Sequence, residues 1–258
     1  MEIALEQLLQ GKGTKIKNNE YFPTEAYVSP FIERLSNITN DFRIQVQLPN
    51  QITLDSDGKI ITEDITYNRV WIQAVLPDEL NFKNHKQVIG LVYGLDVRKP
   101  IYKIYTGGLN MACTNLCVFN PDDLEVKELE PQSPMNFKAI NRMIEETNNI
   151  AATLQKMLNI SFDSSYSNTS EQLGNWIKRS MSEYIDNGFG KVKLASSVPE
   201  SAFKLLYINT DSPYYVGEND TNMFNVYNAF TQCITDSLKK DIMNQCEKTI
   251  LLQKILCI

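Results

Sequence analysis

This chain has very little histidine: His85 is the only one among its 258 residues. Only this one imidazole could therefore complete a metal site or act as a catalytic base. The five cysteines do not compensate, because three residues lie between Cys113 and Cys117, which is not the spacing of a zinc ribbon, and the other three cysteines lie far away. We expect small, buried thiols, no metal and no other cofactor. Nothing in the spacing supports a Cys113 nucleophile with His85 as its base, since we expect His85 to lie exposed in a polar loop.

Long apolar runs are also missing. The opening segment MEIALEQLLQGKG carries two glutamates and no unbroken apolar stretch, which is typical of neither a secretory signal nor a membrane span. We therefore expect a cytoplasmic protein with no membrane partner, with its cysteines reduced and no disulfide framework.

Positive charge is in deficit, with 25 Lys and Arg against 31 Asp and Glu, a net charge of −6. This balance excludes a protein coated in positive potential. It leaves room for a local basic groove, because nucleic acid responds to the distribution of charge over a surface.

Familiar catalytic signatures are absent as well. The glycine- and lysine-rich run at residues 11–17 lacks phosphate-loop spacing and indicates a solvated loop. The run from Asp55 to Gly58 is a turn signature without the remaining ligands of a calcium loop. The sequence therefore favours a protein that is not an enzyme, although an unsupported alternative is a nuclease with two metal ions.

Hydrophobic periodicity divides the chain into a strand-rich front and a helical rear. Alternation of apolar and polar residues predicts strands within residues 42–48, 65–76, 86–97 and 101–105, which would form a mostly antiparallel sheet. A helical period dominates from residue 134 onward. We expect an α+β fold in which a sheet-containing part, residues 1–132, packs against a helical part, residues 133–258, as one continuous core.

The segment from Ile101 to Asn120 joins a predicted strand to a cysteine-bearing apolar stretch. Gly107 and Gly108 predict a turn directly after the strand. The apolar residues that follow predict a core segment, within which Cys113 and Asn115 would be buried.

Cationic and aromatic residues alternate along the predicted strands. Such a sheet face can stack bases while it neutralises phosphates, although ordinary solvated faces with aromatic residues at the rim explain the same pattern. The candidate nucleic-acid-binding residues are Arg43, Arg69, Trp71, Arg98, Lys99, Lys103 and Tyr105.

Two stretches resemble a family of phage- and plasmid-like proteins grouped as domain of unknown function 932. The first is TGGLNMACTN at residues 106–115, and the second is TNMFNVYNAFTQCITD at residues 221–236. In the family, a cysteine-asparagine element follows a strand and glycine turn, and a late helix carries an aromatic-Asn-Ala-x-Thr core. The matching positions here are Gly107, Gly108, Cys113 and Asn115, then Tyr227, Asn228 and Thr231. A histidine common near the end of that helix is absent from this chain.

The resemblance implies a bacteriophage or mobile-element accessory protein that is encoded among replication and recombination genes, without established catalytic residues. From it we expect a non-catalytic protein that binds single-stranded or duplex DNA. The alternative is a protein-interaction module that inhibits a host factor or assembles with other phage proteins, including copies of itself. Asn115 and Asn228 would meet in space, either bonding nearby backbone or flanking a ligand.

Overall fold

The structure is a computed structural model in which twelve stretches and two isolated residues are described. They are residues 4–10, 14–15, 21–22, 24–47, 56–57, 69–77, 85–96, 99–110, 116–119, 141, 145, 152–186, 190–238 and 242–258. For most of these residues the burial of the side chain is described as well.

The chain divides into two compact units. Unit 1 comprises residues 1–81, 86–106 and 120–147, and unit 2 comprises residues 82–85, 107–119 and 148–258. The predicted boundary between residues 132 and 133 lies outside the described residues.

Antiparallel strands and two helices form the described part of unit 1. Its elements are α1 (Leu5–Gln10), β1 (Thr14–Lys15), β2 (Tyr21–Phe22), α2 (Thr24–Ser36), β3 (Phe42–Gln47) and β4 (Arg69–Val75). Two longer strands, β5 (His85–Asp96) and β6 (Lys99–Asn110), follow; His85 and residues 107–110 are assigned to unit 2, to which β7 (Leu116–Phe119) also belongs. A five-stranded sheet runs in the order β3-β4-β5-β6-β7, with β3, β4 and β5 paired antiparallel. The predicted antiparallel sheet is therefore confirmed.

The sheet buries one face because successive strand residues point to opposite sides. Ile44 on β3 lies opposite Ile72 on β4, which in turn lies opposite Leu91 on β5. Helices α1 and α2 cover this face through Leu8, Val28, Phe31 and Leu35, all of which have no exposed surface. Unit 1 thus has its own apolar core.

The glycine pair does not end the strand before it. We predicted a turn at Gly107 and Gly108, but β6 continues through both to Asn110, so that prediction is wrong. The imidazole of His85 comes within 3.6 Å of the position that a Cβ atom on Gly108 would occupy. This separation is an ordinary van der Waals contact, so Gly108 lies within a strand whose packing leaves room for a Cβ atom.

Helices dominate the described part of unit 2. After helix α3, described over residues 152–159, come β8 (Ser161–Phe162), α4 (Tyr166–Ser182), β9 (Ile185–Asp186), β10 (Lys191–Val192) and α5 (Ser197–Tyr207). The chain then forms β11 (Thr221–Asn222), α6 (Met223–Ser237) and α7 (Ile242–Leu256). The short strands pair antiparallel as β8 with β11 and β9 with β10. With the antiparallel sheet, these helices confirm the α+β class.

The core of unit 2 contains apolar residues from each of these helices. The Trp176 ring of α4 stacks on Phe162 with centroids 5.6 Å apart and meets Phe230 of α6 edge-on at 5.4 Å. Helix α6 begins after Asn222, whose side-chain oxygen accepts a hydrogen bond from the Asn225 amide at 3.0 Å. This cap fixes the start of the helix that carries Tyr227, Asn228 and Thr231.

Candidate functional site

Two arginines and a tryptophan lie together on the second face of the unit 1 sheet. Gln45 pairs with Trp71 and Gln47 with Arg69, while Arg43 pairs with Gln73. Their neighbours along each strand point into the core, so these residues must point away from it. We call Arg43, Gln45, Gln47, Arg69 and Trp71 the arginine–tryptophan face. The register therefore brings three predicted nucleic-acid-binding residues to one surface.

The charged side chains on this face are partly exposed to solvent. Arg43 is partly exposed, and its Nε atom lies 3.9 Å from a carboxylate oxygen of Asp41, which is itself exposed. An exposed pair at this separation is worth at most about 1 kcal/mol. Arg43 can therefore exchange Asp41 for another anion at little energetic cost.

The Tyr105 side chain of β6 lies on this face of the sheet but is buried. Only 6% of Tyr105 is exposed, and its ring occupies the space that a Cβ atom on Gly90 would need. The Trp71 Nε1 atom donates a hydrogen bond to the Tyr105 hydroxyl oxygen. Tyr105 therefore holds the indole of Trp71 in place and does not offer its own ring to solvent.

Gln73 lies beside these residues and is buried without a hydrogen-bond partner. It pairs with Arg43 on one side and with Gly90 on the other. Only 1% of Gln73 is exposed, and neither the nitrogen nor the oxygen of its amide has a partner among the described residues. Leaving such a group unpaired costs about 1–3 kcal/mol.

Several predicted residues cannot be located on this surface. Arg98 lies outside the described residues, whereas Lys99 and Lys103 lie on β6 with side chains outside the described set. Cys113 and Asn115 also lie outside the described residues, so the predicted meeting of Asn115 with Asn228 stays a prediction.

Both polar atoms of the Asn228 side chain are hydrogen-bonded within unit 2. Its Nδ2 atom donates to the backbone oxygen of Phe224 at 2.9 Å, and its Oδ1 atom lies 3.0 Å from Nε2 of His85. Because an amide oxygen only accepts, Nε2 must carry the imidazole proton. The other ring nitrogen, Nδ1, is then a buried lone pair with no hydrogen-bond partner among the described residues.

Burial keeps His85 neutral. Only 2% of His85 is exposed, and the Phe224 ring meets its imidazole edge-on with centroids 5.1 Å apart. Burial lowers the pKa of His85 below its ordinary value of 6.5, and the hydrogen bond to Asn228 opposes this shift. The expectation of an exposed His85 in a polar loop is therefore wrong, since β5 begins at this residue.

Two further residues of the α6 stretch are buried. Tyr227 and Thr231 have no exposed surface, and the Thr231 hydroxyl donates to the backbone oxygen of Asn228 at 2.9 Å. Gly108 of β6 lies beside the His85 ring. His85 therefore contacts a residue from each of the two stretches that carry the resemblance, Gly108 and Asn228.

The alternation of β5 could have indicated the burial of His85. Starting from His85, every second residue points inward, through Ile89 and Leu91 to Tyr93. The neighbouring Asn84 and Lys86 instead suggested a polar loop, and the strand start was placed one residue late. Nothing in the sequence indicated that Gln73 is buried, because a strand residue that faces away from the core is ordinarily polar and exposed to solvent.

Neither metal ligation nor a membrane span is found in the described part of the chain. No group of three His, Cys, Asp or Glu side chains there could hold a metal ion. None of the helices described there is long and apolar enough to cross a membrane.

Comparison with known proteins yields no relative: no family model, no curated protein and no solved structure matches this chain.

Proposed function

We propose that this chain is a non-catalytic accessory protein of a bacteriophage or mobile element that binds single-stranded DNA in replication or recombination. The observation that carries DNA binding is the strand register that brings Arg43, Arg69 and Trp71 onto one partly exposed face. The genetic context and a location in the host cytoplasm rest on the resemblance of residues 106–115 and 221–236 alone.

The arginine–tryptophan face has the two components that single-strand binding requires. Guanidinium groups bind phosphates through paired N–H donors, and they keep their charge at every physiological pH. An indole stacks on any base, which is worth about 1–3 kcal/mol per base. A single strand is favoured over a duplex because the bases of a duplex are already stacked on one another.

Fluorescence anisotropy with a labelled single-stranded oligonucleotide tests this proposal. We expect binding at about 50 mM salt that weakens as salt rises, since cations on the DNA are released when arginines neutralise its phosphates. Arg43→Glu with Arg69→Glu should weaken binding at least about tenfold, because two attractions become repulsions.

A matched control separates local contacts from total charge. Lys178→Glu with Lys204→Glu changes the net charge equally on exposed helical positions of unit 2. We expect this control to bind within about twofold of the unchanged protein near physiological salt, where distant charges are screened. No binding of the unchanged protein at low salt, or equal weakening in both variants, would refute the proposal.

A protein-interaction module is the second candidate. Met181 on α4 and Ile208 after α5 are each 62% exposed, which is unusual for large apolar side chains. Light scattering of the unchanged protein and of Met181→Asp with Ile208→Asp tests the simplest case, in which a second copy covers these residues. Self-association that both substitutions abolish would favour this candidate.

A further inference from the structure

We propose that Gln73 makes the arginine–tryptophan face prefer adenine to the other bases of the bound strand. This inference rests on the proposed function. Its basis is the buried amide of Gln73, which has neither a donor nor an acceptor partner among the described residues.

Gln73 lies between the partly exposed side of this sheet face, towards β3, and its buried side, towards β5. On the β3 side its cross-strand neighbour is the partly exposed Arg43, and the partly exposed Trp71 lies two residues along β4. On the β5 side its neighbour is Gly90, and Val88 and Val92 on the same side are buried. A ligand bound on the partly exposed side of this face would thus lie one residue position away from Gln73.

The shape above Gly90 fits a flat ring. The Tyr105 ring crosses β5 over Gly90 and reaches Trp71 on β4 through its hydroxyl. In the proposed complex the Tyr105 side chain rotates away, and a base takes its place above the Gly90 backbone, beside Gln73 and Trp71. A nucleobase has a thickness similar to that of the ring it replaces, so the exchange would not require movement of the strands.

The chemistry of the amide favours adenine at that position. A glutamine side chain presents one donor and one acceptor side by side, and adenine presents the complementary pair in its N6 amino group and N7. Binding therefore satisfies both atoms of Gln73 at once. Purines also offer the larger area for stacking on Trp71.

Titration of short homopolymers of dA, dC, dG and dT by fluorescence anisotropy tests this inference. We expect dA to bind on the order of tenfold more tightly than the others. Gln73→Met keeps the length of the side chain and removes both polar atoms, so it should bind dA no more tightly than the other purine, dG, with its affinity for dT unchanged. Circular dichroism checks that this variant is folded.

A substitution in the DNA tests the same contact in the unchanged protein. A homopolymer of purine deoxyriboside lacks the N6 amino group and should bind about tenfold more weakly than dA to the unchanged protein, but equally to Gln73→Met. A parallel titration with rA decides whether DNA or RNA supplies the adenine.

The outcomes distinguish this inference from the proposed function. Equal affinity for all four homopolymers, or an adenine preference that survives Gln73→Met, overturns base selection and leaves single-strand binding intact. Failure to bind any homopolymer at low salt overturns both.

Discussion

Nε2 of His85 lies 3.0 Å from Oδ1 of Asn228, although 143 residues separate them in the chain. The second hydrogen bond of the Asn228 amide, to the Phe224 backbone, fixes which amide atom faces the imidazole. The pair thereby selects one tautomer of the only histidine in the protein.

Removal of this amide should destabilise unit 2. Asn228→Ala leaves the Nε2–H group of His85 buried without an acceptor, which costs about 1–3 kcal/mol in the free energy of unfolding. Urea denaturation followed by circular dichroism measures the change. Asn225→Ala is the matched control on the same helix, because its amide bonds the Thr221 hydroxyl in a partly buried position and should cost less. Equal losses in the two variants would contradict the role given to Asn228.

Acidification should weaken the fold through His85. Its pKa is lowered in the folded state, so below pH 6.5 the unfolded chain binds a proton at His85 more readily than the folded chain does. The free energy of unfolding should therefore fall as pH drops from 6.5 towards the folded-state pKa, by at most about 1.4 kcal/mol per pH unit, and this histidine should contribute no slope above that window.

Urea denaturation between about pH 8 and pH 5 measures this slope. The control is His85→Gln, which does not titrate, and subtraction of its profile removes the contribution of carboxylates. Parallel profiles for the two proteins would show that His85 titrates in the folded state as it does in the unfolded chain.

Gly90→Ala should destabilise unit 1, because the added Cβ atom would collide with the Tyr105 ring. Overpacking of this kind costs about 1–3 kcal/mol. The matched control is Gly174→Ala on α4, where a Cβ atom meets nothing within 4 Å, and it should stabilise by up to about 1 kcal/mol through helix propensity. Thermal unfolding of both variants checks the contrast, which would vanish if the Tyr105 ring lay elsewhere.

The cysteines of unit 2 should differ in their rate of alkylation. Burial, with a smaller contribution from Asp236, raises the pKa of the Cys233 thiol to about 12, so almost no reactive thiolate forms near neutral pH. Cys257 is exposed. Iodoacetamide labelling followed by mass spectrometry should therefore modify Cys257 before Cys233 under native conditions, and urea should remove the difference. Equal native rates for these two cysteines would contradict the partial burial of Cys233.

Local patterns were sufficient for much of the secondary structure. The helical period from residue 134 onward predicted a helical rear part, in which α7 at Ile242–Leu256 lies, and the alternation within residues 42–48 predicted β3. The same alternation placed Arg43 and Trp71 on outward-facing positions, and the register confirms that they share a face. These features are periodic, so they depend on near neighbours alone.

Glycine and histidine positions were predicted less well. Gly107 and Gly108 have the composition of a turn, yet they lie within β6, where a Cβ atom on Gly108 would meet the His85 ring at an ordinary contact distance of 3.6 Å. A single sequence does not distinguish a glycine in a turn from one within a strand.

The sequence by itself determined the α+β class, the alternation that exposes Arg43 and Trp71, and the amphipathic helices of unit 2. Only the tertiary structure decided that His85 meets Asn228, that Tyr105 lies over Gly90, and that Gln73 is buried without a partner. The physical reason is that periodicity fixes which side of a strand or helix a residue occupies, whereas a partner far along the chain is fixed by strand register and helix packing.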